Sequence, residues 1–223
     1  GDKVYQINRK KALLMSTFGK RPLEDGVRIN VAHIDSPRLD LKPNPLYEKA
    51  EAAYFKTHYY GGIRKYQWAT IPLAMHGVVI LKDGTSMDIC IGEKEGDPVF
   101  VTDLLPHLAA QQNERKLKDG IKGEELNIIV GSLPYPCEEE DSIKEPVKLL
   151  ALSLLNERFG MTEKDFLRAE IEFVPAVKAT DVGLDRSLVG AYGQDDKVCA
   201  YTALTAEMKA KSPEYTTVTI LAD

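Results

Sequence analysis

Cysteine is scarce in this chain and never clustered. Cys90, Cys137 and Cys199 stand alone, odd in number and free of CxxC spacing. That pattern argues against a disulfide framework and a cysteine-based zinc site, and it fits a reducing compartment. Long apolar runs are missing too. None approaches the roughly 18 residues that a membrane helix needs, and no signal-peptide pattern opens the sequence. The expectation is a cytoplasmic protein with no membrane partner. Basic excess is also absent: 29 Lys and Arg against 34 Asp and Glu leave a net charge of −5, so no nucleic-acid partner is expected.

What is present is an ordinary globular composition, 43% apolar and 28% charged over 223 residues, enough for one large domain or two small ones. Charges are interspersed, apart from Glu138, Glu139, Glu140 and Asp141, which read as a solvated loop. Both ends read as cut. The chain starts at Gly1 in strand-like sequence and stops at Asp223, at the close of the strand-like TTVTILAD.

Apolar periodicity lays out the elements. KVYQI and KALLMSTFG predict a hairpin, and VRINVAHI a strand with His33 at its C-terminal end. Prolines at 37, 43 and 45 predict an irregular crossing from Ser36 to about Asn44. A β-rich middle follows, with strands in AYFKTHYYGG and on either side of the Asp83-Gly84 turn. LLPHLAAQQNERKL reads as helical and LNIIVGSLP as a strand. SIKEPVKLLALSLLNERFG predicts a helix capped by Gly160, and Thr162 to Asp165 a capped helical turn. AEIEFVPAV is a strand, KVCAYTALTAEMKA an amphipathic helix, and YTTVTILAD the last strand. The simplest arrangement is an α/β layer built from residues 1–40 and 180–223, interrupted by an inserted β-rich domain over 41–179.

Two acidic constellations carry the chemistry. In His33-Ile34-Asp35, residues two apart on an extended strand point the same way. Asp35 can therefore hold the His33 imidazole while Ile34 faces the core. A metal-ligating histidine wants such an acceptor on its second nitrogen, and a purely structural pair has the same spacing. The second constellation, GLDRSLVGAYGQDDKVCAYTAL, sets Asp195 and Asp196 between Gly193 and a helix. One aspartate suffices as a helix cap. Two adjacent ones suit a carboxylate that bridges paired metal ions.

Of the other candidates, His58 and His76 read as structural, and Gly61-Gly62 as a bend. Tyr59, Tyr60 and Trp68 read as core or interface, and Cys199 as packing.

AHIDSPRLDLKPNPLYE, THYYGG, LPHLA and GAYGQDDKVCAYTAL occur in this order across nearly the whole chain. Together they resemble the aspartyl aminopeptidase and vacuolar aminopeptidase I family of two-zinc exopeptidases. The resemblance implies a zinc-exopeptidase-like α/β catalytic domain, here partial, interrupted by an inserted domain that builds dimers and larger tetrahedral assemblies. It implies peptide substrates and two Zn2+ per complete site. His33 would be a zinc ligand, Asp35 its orienting partner and Asp195 the bridging carboxylate, with Asp196 following across a peptide that is often cis. His107 would reach a neighbouring subunit's site and help to hold substrate. The family's general base and second-zinc ligand, a Glu-Glu pair, together with a further Asp and a C-terminal His, would lie beyond Asp223. The chain would thus hold about half of a zinc aminopeptidase and be inactive alone; the alternative is a noncatalytic assembly module.

Overall fold

The computed structural model describes residues 1–93, 97–137 and 143–223, so the acidic run at 138–141 lies outside the described residues. In chain order the strands are β1 (Lys3–Asn8), β2 (Ala12–Thr17), β3 (Val27–His33), β4 (Arg38–Lys49), β5 (Ala52–Tyr60), β6 (Leu73–Ile80), β7 (Ser86–Ile91), β8 (Phe100–Val101), β9 (Ile128–Gly131), β10 (Ala169–Pro175), β11 (Thr180–Val182), β12 (Leu188–Gly190) and β13 (Thr216–Ala222). The helices are α1 (Ala110–Asn113), α2 (Pro146–Phe159) and α3 (Gln194–Lys209). None is long and apolar enough to cross a membrane. The chain divides into two compact units: residues 1–36 with 179–223, and residues 37–178.

The first unit is a four-stranded sheet in the order β1-β2-β13-β3. β1, β2 and β13 pair antiparallel, whereas β13 runs parallel to β3 and sets Ala222 opposite His33. A parallel pair needs a long crossover, and α3 leads into β13 to supply its final limb. Alternation decides which side of the sheet α3 covers. Ala32, Leu221 and Ala200 form the buried centre, flanked by Leu13, Ile34, Ala203 and Leu204. On the opposite face Val4, Leu14, Ile29 and Val31 are open to solvent. β11 and β12 form a small separate hairpin that three-residue strands do not announce in sequence.

Glu207, near the end of α3, fastens this helix to the sheet. Its carboxylate is buried and accepts hydrogen bonds from the hydroxyls of Thr17 (2.6 Å), Thr217 (2.8 Å) and Thr219 (2.9 Å). Burial alone would raise its pKa, but these hydroxyls and the charge of Lys3 hold it below the usual carboxylate value.

The second unit is a seven-stranded antiparallel sheet in the order β7-β6-β10-β4-β5-β9-β8. Leu73 also bridges to Val99, just ahead of β8, through two backbone hydrogen bonds of 2.8 and 3.1 Å, so the sheet curls round on itself. Leu39, Leu73, Met75, Val79, Val101, Ile128 and Phe173 fill its core. α2 packs on β4, β5 and β9. It starts with Pro146 at its first turn, where Glu48 accepts from the amides of Val147 and Lys148, and it ends at Gly160 with φ +69°. Thr162 and Asp165 close the capping box expected for the next short turn.

Two expectations fail here for physical reasons. The proline-rich stretch after Ser36 is not irregular, because it forms β4. Between Leu41 and Leu46 the register shifts, and the intervening residues, including Pro43, are absorbed in a bulge. Pro45 precedes the resumed ladder. The segment around His107 yields only the single turn of α1, because Leu104, Leu105 and Leu108 are exposed and no apolar face is buried to support a longer helix. Trp68 is buried in the core, His58 is exposed and stacks beside Tyr59, and Arg38 lies over the Tyr60 ring.

Candidate metal centre

β3 delivers His33 to the end of the sheet, and Ile34 extends the ladder one step by donating to the Ala222 carbonyl at 2.9 Å. Asp35 follows where pairing stops. His33 Nδ1 lies 2.9 Å from Asp35 Oδ1. A carboxylate only accepts, so the proton sits on Nδ1 and Nε2 carries the lone pair of the neutral ring. Nε2 faces two more carboxylates, Asp196 Oδ2 at 3.3 Å and Asp195 Oδ1 at 3.5 Å. One ligand atom from each of His33, Asp195 and Asp196 lies within 4.8 Å of the others.

The approach to α3 is set by its backbone. Gly193, at the N-cap of the helix, has φ +76° and offers no side chain to cap it. A Cβ on Gly193 would stand 2.6 Å from Lys197 Nζ and 3.0 Å from Ser36 Oγ. Asp195 and Asp196 keep non-helical backbone angles and are joined by a cis peptide bond. Their environments differ: the Asp195 side chain is 91% exposed and that of Asp196 only 10%.

The hydrogen bond to Asp35 raises the His33 pKa. Burial opposes the rise, and the charges of Asp196, Asp35 and Asp195 add to it. Cys199 is exposed rather than packed, which corrects the expectation; its thiol leans on Asp196, and that hydrogen bond raises its pKa.

His33, Asp35 and Asp195 are therefore neighbours. Asp196, which the sequence marked only as Asp195's successor, joins them as the most buried carboxylate facing His33. Its adjacency to Asp195 was the available signal. His107 belongs to the other unit, exposed in the turn ahead of α1.

Residues 1–222 match the family described as Aminopeptidase I zinc metalloprotease (M18). The chain belongs to that family. The protein of Clostridium acetobutylicum named "Probable M18 family aminopeptidase 1" is 54% identical over 224 residues, covering 100% of this chain and 48% of its own length. The crystal structure of an M18 aminopeptidase from Thermotoga maritima superposes with a TM-score of 0.90 at 50% identity, covering 99% of this chain and 48% of that one. The structure of aminopeptidase I from Clostridium acetobutylicum gives 0.90 at 49% identity, covering 100% and 48%. The chain thus spans about half the length of the M18 relatives it matches. These likenesses also carry the mixed α/β class.

The donor chemistry suits the metal in the family's description. Zinc takes imidazole nitrogen and carboxylate oxygen, and here three carboxylates surround one imidazole whose second nitrogen is already fixed. Close to Gly193, the Ser36 hydroxyl is a buried polar atom with no hydrogen-bond partner among the described residues, as a polar group reserved for a bound species would be.

Proposed function

We propose that this chain contributes a metal centre to a zinc aminopeptidase that releases N-terminal residues from peptides. The observation that carries the proposal is the His33 imidazole, locked at Nδ1 by Asp35 and turned at Nε2 toward Asp195 and Asp196. His33 and Asp195 would hold zinc, with Asp195 shared between two ions. Bound zinc would polarise the scissile carbonyl and supply an activated water. Asp35 fixes the tautomer that leaves the Nε2 lone pair for the metal, and Asp196 adds negative charge on the side that Nε2 faces. Because Ala222 sits opposite His33, the C-terminal end of β13 lies beside the imidazole. The Glu-Glu pair expected from the family would enter the site there. Three exposed thiols, none in a disulfide, suit a reducing cytoplasm.

The test uses the full-length protein and paired peptides with free or acetylated N-termini. Zinc-dependent release from the free peptide alone, lost with a chelator and restored by Zn2+, is expected. Equal cleavage of both peptides would overturn the exopeptidase reading, and no zinc-dependent cleavage would leave the noncatalytic assembly module.

Residues 37–178 are proposed as the inserted domain for dimers and larger tetrahedral assemblies, with His107 reaching a neighbouring subunit's site to hold substrate. Support comes from the exposure of Leu104, Leu105 and Leu108 around His107, at 55%, 63% and 70%. In the full-length protein, His107→Ala should lose activity while keeping metal and assembly. Mixed with Asp195→Asn subunits, it should regain about a quarter of wild-type activity, since half of randomly exchanged dimers would be hybrids with one intact site of two. No recovery in verified mixed oligomers would return His107 to a structural role.

A further inference from the structure

Among the described residues one other set of donors converges, in the second unit. One ligand atom from each of His76, Cys90 and Glu93 lies within 4.8 Å of the other two. His76 on β6 and Cys90 on β7 are directly opposed in the antiparallel register, so both side chains rise from the same face of the sheet. Glu93 comes from the chain just beyond β7, where Gly92 turns it back. Gly92 has φ +93°, and a Cβ there would stand 2.8 Å from the Leu73 carbonyl oxygen, so the turn is one that glycine alone makes without strain.

The turn is also anchored. The Gly92 amide donates to Asp97 Oδ1 at 2.9 Å, and Arg158 donates to Asp97 Oδ2 at 2.7 Å. The result sets Glu93 Oε1 3.2 Å from His76 Nε2. Two ligands each about 2.0–2.1 Å from a tetrahedral ion lie about 3.3 Å apart. The nitrogen and oxygen already hold the separation that a shared ion requires. An ion pair alone would account for those two groups, but not for a thiol placed opposite the histidine on the same face.

We propose that His76, Cys90 and Glu93 form a second cation site, selective for zinc or another borderline divalent transition metal. Thiolate and imidazole exclude Mg2+ and Ca2+, which take oxygen ligands. On binding, the Cys90 thiol gives its proton to solvent and its sulfur lone pair to the metal, with no change of oxidation state. The thiolate and carboxylate charges balance a divalent ion, and the neutral imidazole completes three protein donors. His76 is half-buried, and Cys90 and Glu93 are exposed, so the fourth position faces water. An ion here ties β6, β7 and the Gly92 turn together.

Cobalt(II) is the probe, because thiolate ligation produces an intense near-ultraviolet charge-transfer band that oxygen and nitrogen ligands do not. The purified protein, loaded with zinc at the His33 and Asp195 centre, should develop this band, saturating at one further, thiolate-ligated Co2+ per chain. The band should persist in Cys199→Ser, which removes the thiol beside Asp196, and disappear in Cys90→Ser. Glu93→Gln, a change at an exposed side chain, should shift the titration midpoint to higher Co2+. A measurement without any substitution runs in parallel: Zn2+ should slow alkylation of Cys90 but not of Cys137, read by peptide mass spectrometry. Absence of the band at saturating Co2+, its survival in Cys90→Ser, or unchanged Cys90 alkylation with zinc would overturn the site.

Discussion

Asp195→Asn in the full-length protein should release both zinc ions and reduce kcat by about a thousandfold or more. In the proposed site the Asp195 carboxylate would be shared by two cations, and an amide cannot replace its charge. Losing the metals removes at least ~4 kcal/mol of transition-state stabilisation, which is about three powers of ten in rate. The side chain is 91% exposed, so the fold should be untouched and the loss read directly on the metals. Asp35→Asn is the informative companion. Its amide oxygen still accepts from His33 Nδ1, so only the carboxylate charge is lost, and the expected cost is about 10–100-fold. Zinc content by atomic emission and turnover on aminoacyl substrates separate the two variants. Near-normal turnover in Asp195→Asn would mean that the bridge lies elsewhere.

Glu207→Ala should destabilise the first unit by about 3 kcal/mol at pH 7. Three hydroxyl donors converge on this buried carboxylate, and each hydrogen bond to a charged acceptor is worth about 1.5–3 kcal/mol before non-additivity. The pH dependence follows from the direction of the shift. The folded state holds the Glu207 pKa below its unfolded value of about 4.3. Its contribution is therefore fully present above that value and is lost as pH falls through the folded pKa. Urea unfolding of the wild type should lose stability below about pH 4.5, and Glu207→Gln should flatten that part of the curve. A midpoint for Glu207→Ala within about 0.5 kcal/mol of wild type at pH 7 would show that the threonines are satisfied without it.

The contrast between Glu207 and His33 explains what was legible in the sequence. His33 and Asp35 are local: an apolar alternation sets the strand, and a spacing of two sets the shared face. The pair at Asp195 and Asp196 is local as well, betrayed by being more than a cap requires. Glu207 reads as an ordinary charged position on an amphipathic helix, because its partners come from both ends of the chain. Thr17 alone is 190 residues away. Cys199 misread as packing for the same reason, since only the three-dimensional approach to α3 leaves it exposed beside Asp196.

Strands β1 to β3, β5 to β7, β10 and β13 follow from pattern and turn chemistry. β4 does not, because the rule that proline interrupts strands meets its exception where a bulge absorbs the extra residues. The helix over the His107 segment fails because propensity without a buried face does not sustain one, as the exposed leucines there show. The antiparallel order of the second sheet, with β10 between β6 and β4, depends on long-range pairing that no short window encodes.

The central position of β13 between β2 and β3 has a consequence for synthesis. All of residues 37–178 are translated after β3 and before β13. At about 5–20 residues per second, β3 leaves the ribosome roughly 10 to 35 s before β13 is made. Through that interval the inner edges of β2 and β3 lack their partner, with Ile29 and Val31 already in solvent. The nascent chain must protect or tolerate these strands while the second unit folds. Of the four strands of this sheet, β13 is thus made after the other three, and α3, which brings Asp195 and Asp196 to His33, is made just before it.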